Sequence, residues 1–129
     1  MNKKYSILIV DDDKFLLDMY RKKFEHYGIL PELSVGSSDA LNKLRGGLVP
    51  DILVLDIIMP GVDGLELFET IRKEKLCPKS IVIMLTNEGE GVKIDKAKSL
   101  GAVGYIIKAT SIPSEVTEEI IRIADAHIK

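Results

Sequence analysis

DILVLDIIMPGVDG, residues 51–64, opens with an unbroken apolar run, Ile52-Leu53-Val54-Leu55, and delivers it onto the carboxylate of Asp56. Apolar residues that do not alternate with polar ones are buried on both faces, as in a central strand of a parallel sheet flanked by helices. Pro60, Gly61 and Gly64 then break the strand and turn the backbone toward a new helix. A carboxylate at the C-terminal end of such a strand lies at the mouth of the sheet, where α/β folds place their ligands. Aspartate also begins ordinary turns. On this stretch alone a turn marker and a site residue describe Asp56 equally well, and the rest of the chain separates them.

Working outward, residues 5–10 (YSILIV) form a second short apolar run that ends on Asp11-Asp12-Asp13, mirroring the run that ends on Asp56. Residues 14–27 carry Phe15, Leu16, Met19, Tyr20, Phe24 and Tyr27 at helical spacing, which predicts one apolar stripe closed by Gly28 in a left-handed cap. Residues 31–35 read as a short strand, and Pro31 confines it to a sheet edge. A helix over 39–45, capped by Ser37 or Ser38, stops at Gly46-Gly47. Beyond the central strand the pattern predicts a helix over 65–74 with Leu65, Phe68 and Ile71 inward. A strand over 80–85 then ends on Thr86-Asn87, and a helix over about 90–100 carries Val92, Ile94, Ala97 and Leu100. A strand over 104–107 delivers Lys108, and a helix over 112–128 turns Val116, Ile120, Ile123 and Ala124 inward.

Length and composition narrow the function classes. The 129 residues fit one domain, spanning 1–129, with enough chain to bury a core without disulfide or metal staples. A net charge of −2 gives no clustered basic surface for nucleic acid, and direct nucleic-acid binding is not expected. With neither a secretory leader nor an apolar run of membrane-spanning length, the expected location is the cytoplasm, without membrane insertion. The lone Cys77 has no neighbour at zinc-ligand spacing and reads as a bystander, and His26 and His127 are likewise isolated.

Strands alternating with helices predict a doubly wound α/β fold with a five-stranded parallel sheet. Right-handed crossovers and an edge position for the Pro31 strand select the flavodoxin-like order 2-1-3-4-5, with strands 1 and 3 side by side at the switch point. Asp11, Asp12, Asp56, Thr86 and Lys108 then emerge along one edge. Adjacent strands lie about 4.8 Å apart and the fifth strand about 10 Å from the third, so a long lysine is the side chain that spans to Asp56, while a threonine hydroxyl serves from the strand between. Carboxylates gathered this closely repel and raise a pKa unless a cation intervenes. An all-oxygen donor set favours a hard ion such as Mg²⁺, which also takes phosphate oxygens. The same cluster suits phosphoryl transfer to Asp56 as nucleophile. The competing structural reading is an Asp–Lys ion pair at a sheet edge.

The ordered motifs ILIVDDD (7–13), LVLDIIMPGVDG (53–64), IVIMLTN (81–87) and GAVGYIIK (101–108) resemble those of receiver domains of two-component response regulators, most nearly the single-domain chemotaxis type. The resemblance runs the length of the chain. It implies a signalling switch, not an enzyme in the usual sense, that takes a phosphoryl group from a sensor histidine kinase or phosphotransfer protein. By position, Asp56 resembles the phosphoacceptor, Asp12 a direct Mg²⁺ ligand, Asp11 the acid that helps hold the ion through water, and Ile58 the backbone-carbonyl ligand. Thr86 and Tyr105 resemble the coupled switch pair, and Lys108 the lysine that meets the phosphoryl group. The implied output surface is the face of the fourth helix, fifth strand and fifth helix, residues 90–129, for a downstream target or an output domain, with the chain a monomer or weak dimer. Two departures stand out. Ala109 replaces the usual proline, so a cis bond there would cost about 3 kcal/mol, and Asn87 replaces a small residue. Ile58 and Glu88 flank the path of the water that attacks the phosphoaspartate in the family. An alternative from the enzyme class is a haloacid dehalogenase-like phosphatase using Asp11 in Asp11-x-Asp13. A receiver-like module that is never phosphorylated is a third.

Overall fold

The fold follows from a computed structural model that describes residues 5–86, 91–108 and 112–128. Among these residues, five strands alternate with five helices: β1 (Ile7–Asp11), α1 (Lys14–Glu25), β2 (Glu32–Val35), α2 (Ser37–Arg45), β3 (Ile52–Asp56), α3 (Gly64–Lys73), β4 (Ile81–Thr86), α4 (Gly91–Leu100), β5 (Gly104–Ile107) and α5 (Pro113–His127). The strands are all parallel, in the order β2-β1-β3-β4-β5 that the sequence pattern predicts. Pro31 lies just before the edge strand β2, where its missing N–H costs no ladder bond.

Strand alternation sorts the side chains into two cores. Ile7 and Ile9 of β1, Ile52 and Val54 of β3, Ile83 and Leu85 of β4 and Ile106 of β5 pack beneath α1 and α5. Leu8, Val10, Leu53, Leu55, Val82 and Met84 pack against α2, α3 and α4 on the other side. The alternation that buries Ile9 and Val54 therefore brings Asp11 and Asp56, two residues on, to the α1/α5 side of the sheet edge. It assigns Thr86 to the opposite side with Met84 and Tyr105.

Three local expectations are corrected. The buried stripe of α1 is Leu17, Tyr20 and Phe24; Phe15 and Met19 are exposed. Spacings of three and four from Leu17 define that stripe, and Phe15 and Met19 lie off it as an i, i+4 pair of their own. On α4 only Ala97 is fully buried, and Val92 is 85% exposed because it lies two residues, about 200° of rotation, from Ile94. At α2 neither Ser37 nor Ser38 is the cap: Gly36, at φ +90°, takes that position and Ser37 is already helical, its hydroxyl donating across to the Val62 carbonyl at 2.6 Å. Asn87, Glu88, the expected start of α4 at residue 90 and the Lys108–Ala109 peptide lie outside the described residues.

Candidate functional site

The ends of β1, β3 and β5 build the site. Asp11 is wholly buried and Asp56 is 2% exposed, whereas Asp12 faces solvent. Parallel pairing in register sets Val10 of β1 beside Leu55 of β3, so the two carboxylates leave the sheet side by side. One carboxylate oxygen from each of Asp11, Asp12 and Asp56 lies within 4.8 Å of the others. Lys108 follows directly on β5 and spans the intervening strand: its Nζ donates to Asp11 Oδ2 at 3.0 Å and to Asp56 Oδ2 at 3.2 Å. The sequence argument foresaw the reach to Asp56; the nearer bond, to Asp11, it did not.

Two buried carboxylates with one ammonium between them are under-neutralised. Burial, and then the charge on Asp11, push the Asp56 carboxyl up to about 7 against the pull of Lys108. Burial alone would lower the Lys108 ammonium, but Asp11 and Asp56 outweigh it and hold its pKa above the ordinary value. A pocket with excess negative charge and only oxygen donors fits a hard divalent cation, which would take up the unbalanced charge.

Asp13 has a different task. Its carboxylate accepts from Phe15 N at 3.0 Å and Leu16 N at 3.1 Å, so it caps α1 and does not join the cluster. Its own N–H donates to Asp11 Oδ1 at 3.0 Å, which fixes the Asp11 carboxylate from below. Tyr20 is a residue that the motif reading passed over. It is buried beneath the sheet edge, and burial together with the charges of Asp11, Asp56 and Asp13 raises its phenol, keeping the hydroxyl protonated. The inward stripe of α1 was its one trace in the sequence.

Thr86 is fully buried at the end of β4, paired in register with Ile107. Tyr105 is half-buried on β5; its hydroxyl donates to the Ala102 carbonyl at 3.1 Å and Lys98 of α4 lies 5.7 Å from its ring centre. The loop after Asp56 exposes Ile58 and buries Met59. Asp63 closes this loop by capping α3, its Oδ1 accepting from Glu66 N at 2.9 Å.

Comparison with known proteins agrees with this fold. The response regulator receiver domain family matches residues 7–120. The phosphate regulon transcriptional regulatory protein PhoB of Rhizobium meliloti (strain 1021) is 32% identical over 107 residues, covering 83% of this chain and 47% of that protein. The transcriptional regulatory protein ResD of Bacillus subtilis (strain 168) is 37% identical over 113 residues, covering 85% of this chain and 44% of that protein. The chain thus spans a little under half the length of these curated relatives. Among solved structures, a CheY-like receiver domain protein from Methanospirillum hungatei JF-1 superposes with a TM-score of 0.83 at 28% identity over 97% of both chains. The chemotaxis protein CheY4 of Vibrio cholerae, at 24% identity and a TM-score of 0.82 over 94% of this chain and 99% of that one, shares the fold. With the family matched from β1 into α5 and the acidic cluster at the expected strand ends, the chain belongs to the response regulator receiver domain family of two-component signalling systems.

Proposed function

We propose that this receiver accepts a phosphoryl group on Asp56 from the phosphohistidine of a sensor histidine kinase or phosphotransfer protein, and changes conformation as a result. The convergence of Asp11, Asp12 and Asp56 to within 4.8 Å, with Lys108 bonded to two of them, carries this reading. Asp12 and Asp56, the Ile58 carbonyl and, through water, Asp11 would hold Mg²⁺, which when bound supplies positive charge for the phosphoryl oxygens.

A carboxylate oxygen of Asp56 forms the new P–O bond as the donor's P–N bond breaks, and the leaving imidazole takes the electron pair. Lys108, already between Asp11 and Asp56, moves its ammonium onto a phosphoryl oxygen. Asp11 keeps its bond from the Asp13 N–H throughout. The Thr86 hydroxyl turns toward the phosphoryl group, and the space it leaves is taken by Tyr105, which shares its side of the sheet. Tyr105 touches α4 through Lys98, so the change reaches α4, β5 and α5, the face proposed to bind a downstream target or output domain. The chain is proposed to work in the cytoplasm as one receiver domain over residues 1–129, a monomer or weak dimer, with Ile58 and Glu88 bearing on how long the phosphoryl group lasts.

Intact-mass measurement after incubation with acetyl phosphate, with and without Mg²⁺, on the wild type and Asp56→Asn tests the reading. One phosphoryl mass on the wild type only, dependent on Mg²⁺ and mapped to Asp56, is the expected result. Labelling at Asp11 would instead indicate phosphatase chemistry, and no labelling at all would leave an interaction module that is never phosphorylated.

A further inference from the structure

The geometry points to Gly64 as a positioning residue for this phosphotransfer: by carrying no side chain, it lets the first turn of α3 press on the Asp56–Ile57 peptide and so sets the Asp56 carboxylate against the Ile58 carbonyl. The inference rests on the reading of Asp56 as phosphoacceptor.

A Cβ at position 64 would stand 2.2 Å from the Asp56 carbonyl oxygen, 2.8 Å from its carbonyl carbon and 3.0 Å from Ile57 Cα. All three are backbone atoms, so no rotamer change relieves the overlap. Conformation does not explain the glycine, because Gly64 is absent from the glycines of positive φ, Gly28, Gly36, Gly47, Gly61 and Gly101. Space explains it. The Gly64 N–H donates to the Ile57 carbonyl at 2.9 Å, and the Ile57 N–H donates to the Leu85 carbonyl of β4 at 2.9 Å. Residues 57–64, Ile58 among them, therefore form a loop closed on itself and locked to the sheet. Ser37 holds the same loop from α2 through the Val62 carbonyl.

A side chain at 64 must drive α3 and the Asp56 peptide apart by about 1 Å, a displacement that costs up to about 100-fold in a positioned reaction. Gly61 is the internal control: it lies in the same loop at φ +76° with open space around it, so alanine there strains the backbone without touching Asp56.

The test compares Gly64→Ala, Gly61→Ala and Ser37→Ala with the wild type. It reads the acetyl phosphate labelling rate at Asp56 and Mg²⁺ affinity by calorimetry, well below each variant's Tm. Gly64→Ala is expected to label about 10- to 100-fold more slowly, with weaker Mg²⁺ binding, while Gly61→Ala, though less stable, labels like the wild type. Ser37→Ala is expected to fold normally and weaken Mg²⁺ binding by a smaller factor. A folded Gly64→Ala with wild-type labelling and Mg²⁺ affinity overturns the proposal. Should that variant not fold, wild-type behaviour of Ser37→Ala overturns it and weakened Mg²⁺ binding supports it. Failure of the wild type to label would sink the phosphoacceptor reading instead.

Discussion

Asp11 and Asp56, on the neighbouring strands β1 and β3, share the ammonium of Lys108 at 3.0 and 3.2 Å. The Asp56 carboxyl is raised to about 7, by burial and then by the charge on Asp11. Between the ordinary carboxylate range and that value the folded protein holds a proton that the unfolded chain has released. Stability without divalent cations therefore falls as pH rises through this window. Asp56→Asn removes the dependence and is expected to stabilise the cation-free protein at pH 8 by about 1–3 kcal/mol. Thermal denaturation at pH 5 and pH 8 in a chelator checks this: a wild-type Tm that does not fall toward pH 8 would contradict the electrostatic account.

The same proton competes with a metal. Mg²⁺ held as proposed would need Asp56 ionised, so affinity is expected to be about tenfold weaker at pH 6 than at pH 8, with proton release near neutral pH. Calorimetric titration in two buffers of different ionisation enthalpy measures that release directly. Equal heats in both buffers at pH 6.5 would show that Asp56 does not give up a proton to the ion.

Asp12 and Asp13 are adjacent acids with separable tasks. Asp13→Ala removes the cap of α1 and is expected to cost about 1 kcal/mol of stability with little change in Mg²⁺ binding. Asp12→Ala, at an exposed position that caps nothing, is expected to leave Tm in place and weaken Mg²⁺ binding severely. Chemical denaturation and calorimetry on the two variants give this crossed pattern, and a single variant showing both losses would break it.

Much of this was written in the sequence because buried parallel strands leave a strong signature. The unbroken runs ending on Asp11, Asp56, Thr86 and Lys108 located four strand ends, and Pro31 marked the edge that selects the order β2-β1-β3-β4-β5. Helix faces were less legible. The first helix carries enough apolar residues for two stripes, and only packing on the sheet decides that Leu17, Tyr20 and Phe24 go inward while Phe15 stays outside. The cap at α2 was hidden because Ser37 spends its hydroxyl on the Val62 carbonyl, a residue remote in sequence. Counting strands placed Lys108 on Asp56, but it could not show that the carboxylates converge closely enough for one ammonium to serve both. Nor could it reveal the tight approach at Gly64, since a glycine after a strand also suits a plain turn.

Arg72 carries the remaining prediction. It reaches from α3 to the far end of α4, where its Nε donates to the Leu100 carbonyl at 2.8 Å while its guanidinium lies 4.8 Å from the centre of the Phe68 ring. A cation at a helix C-terminus meets the negative end of the dipole as well as an orphan carbonyl. This clamp matters because α4 buries only Ala97 completely, with Leu100 partly buried against the same core, and meets α3 at the surface through pairs such as Lys96–Glu69 at 3.2 Å. Arg72→Met keeps an unbranched chain over Phe68 but loses the bond, and is expected to cost about 1 kcal/mol and to speed amide exchange at residues 97–101. Labelling of Asp56 by acetyl phosphate should continue at the wild-type rate, since Arg72 touches none of the acidic cluster. Unchanged exchange in α4 would show that the helix is held by its apolar contacts instead.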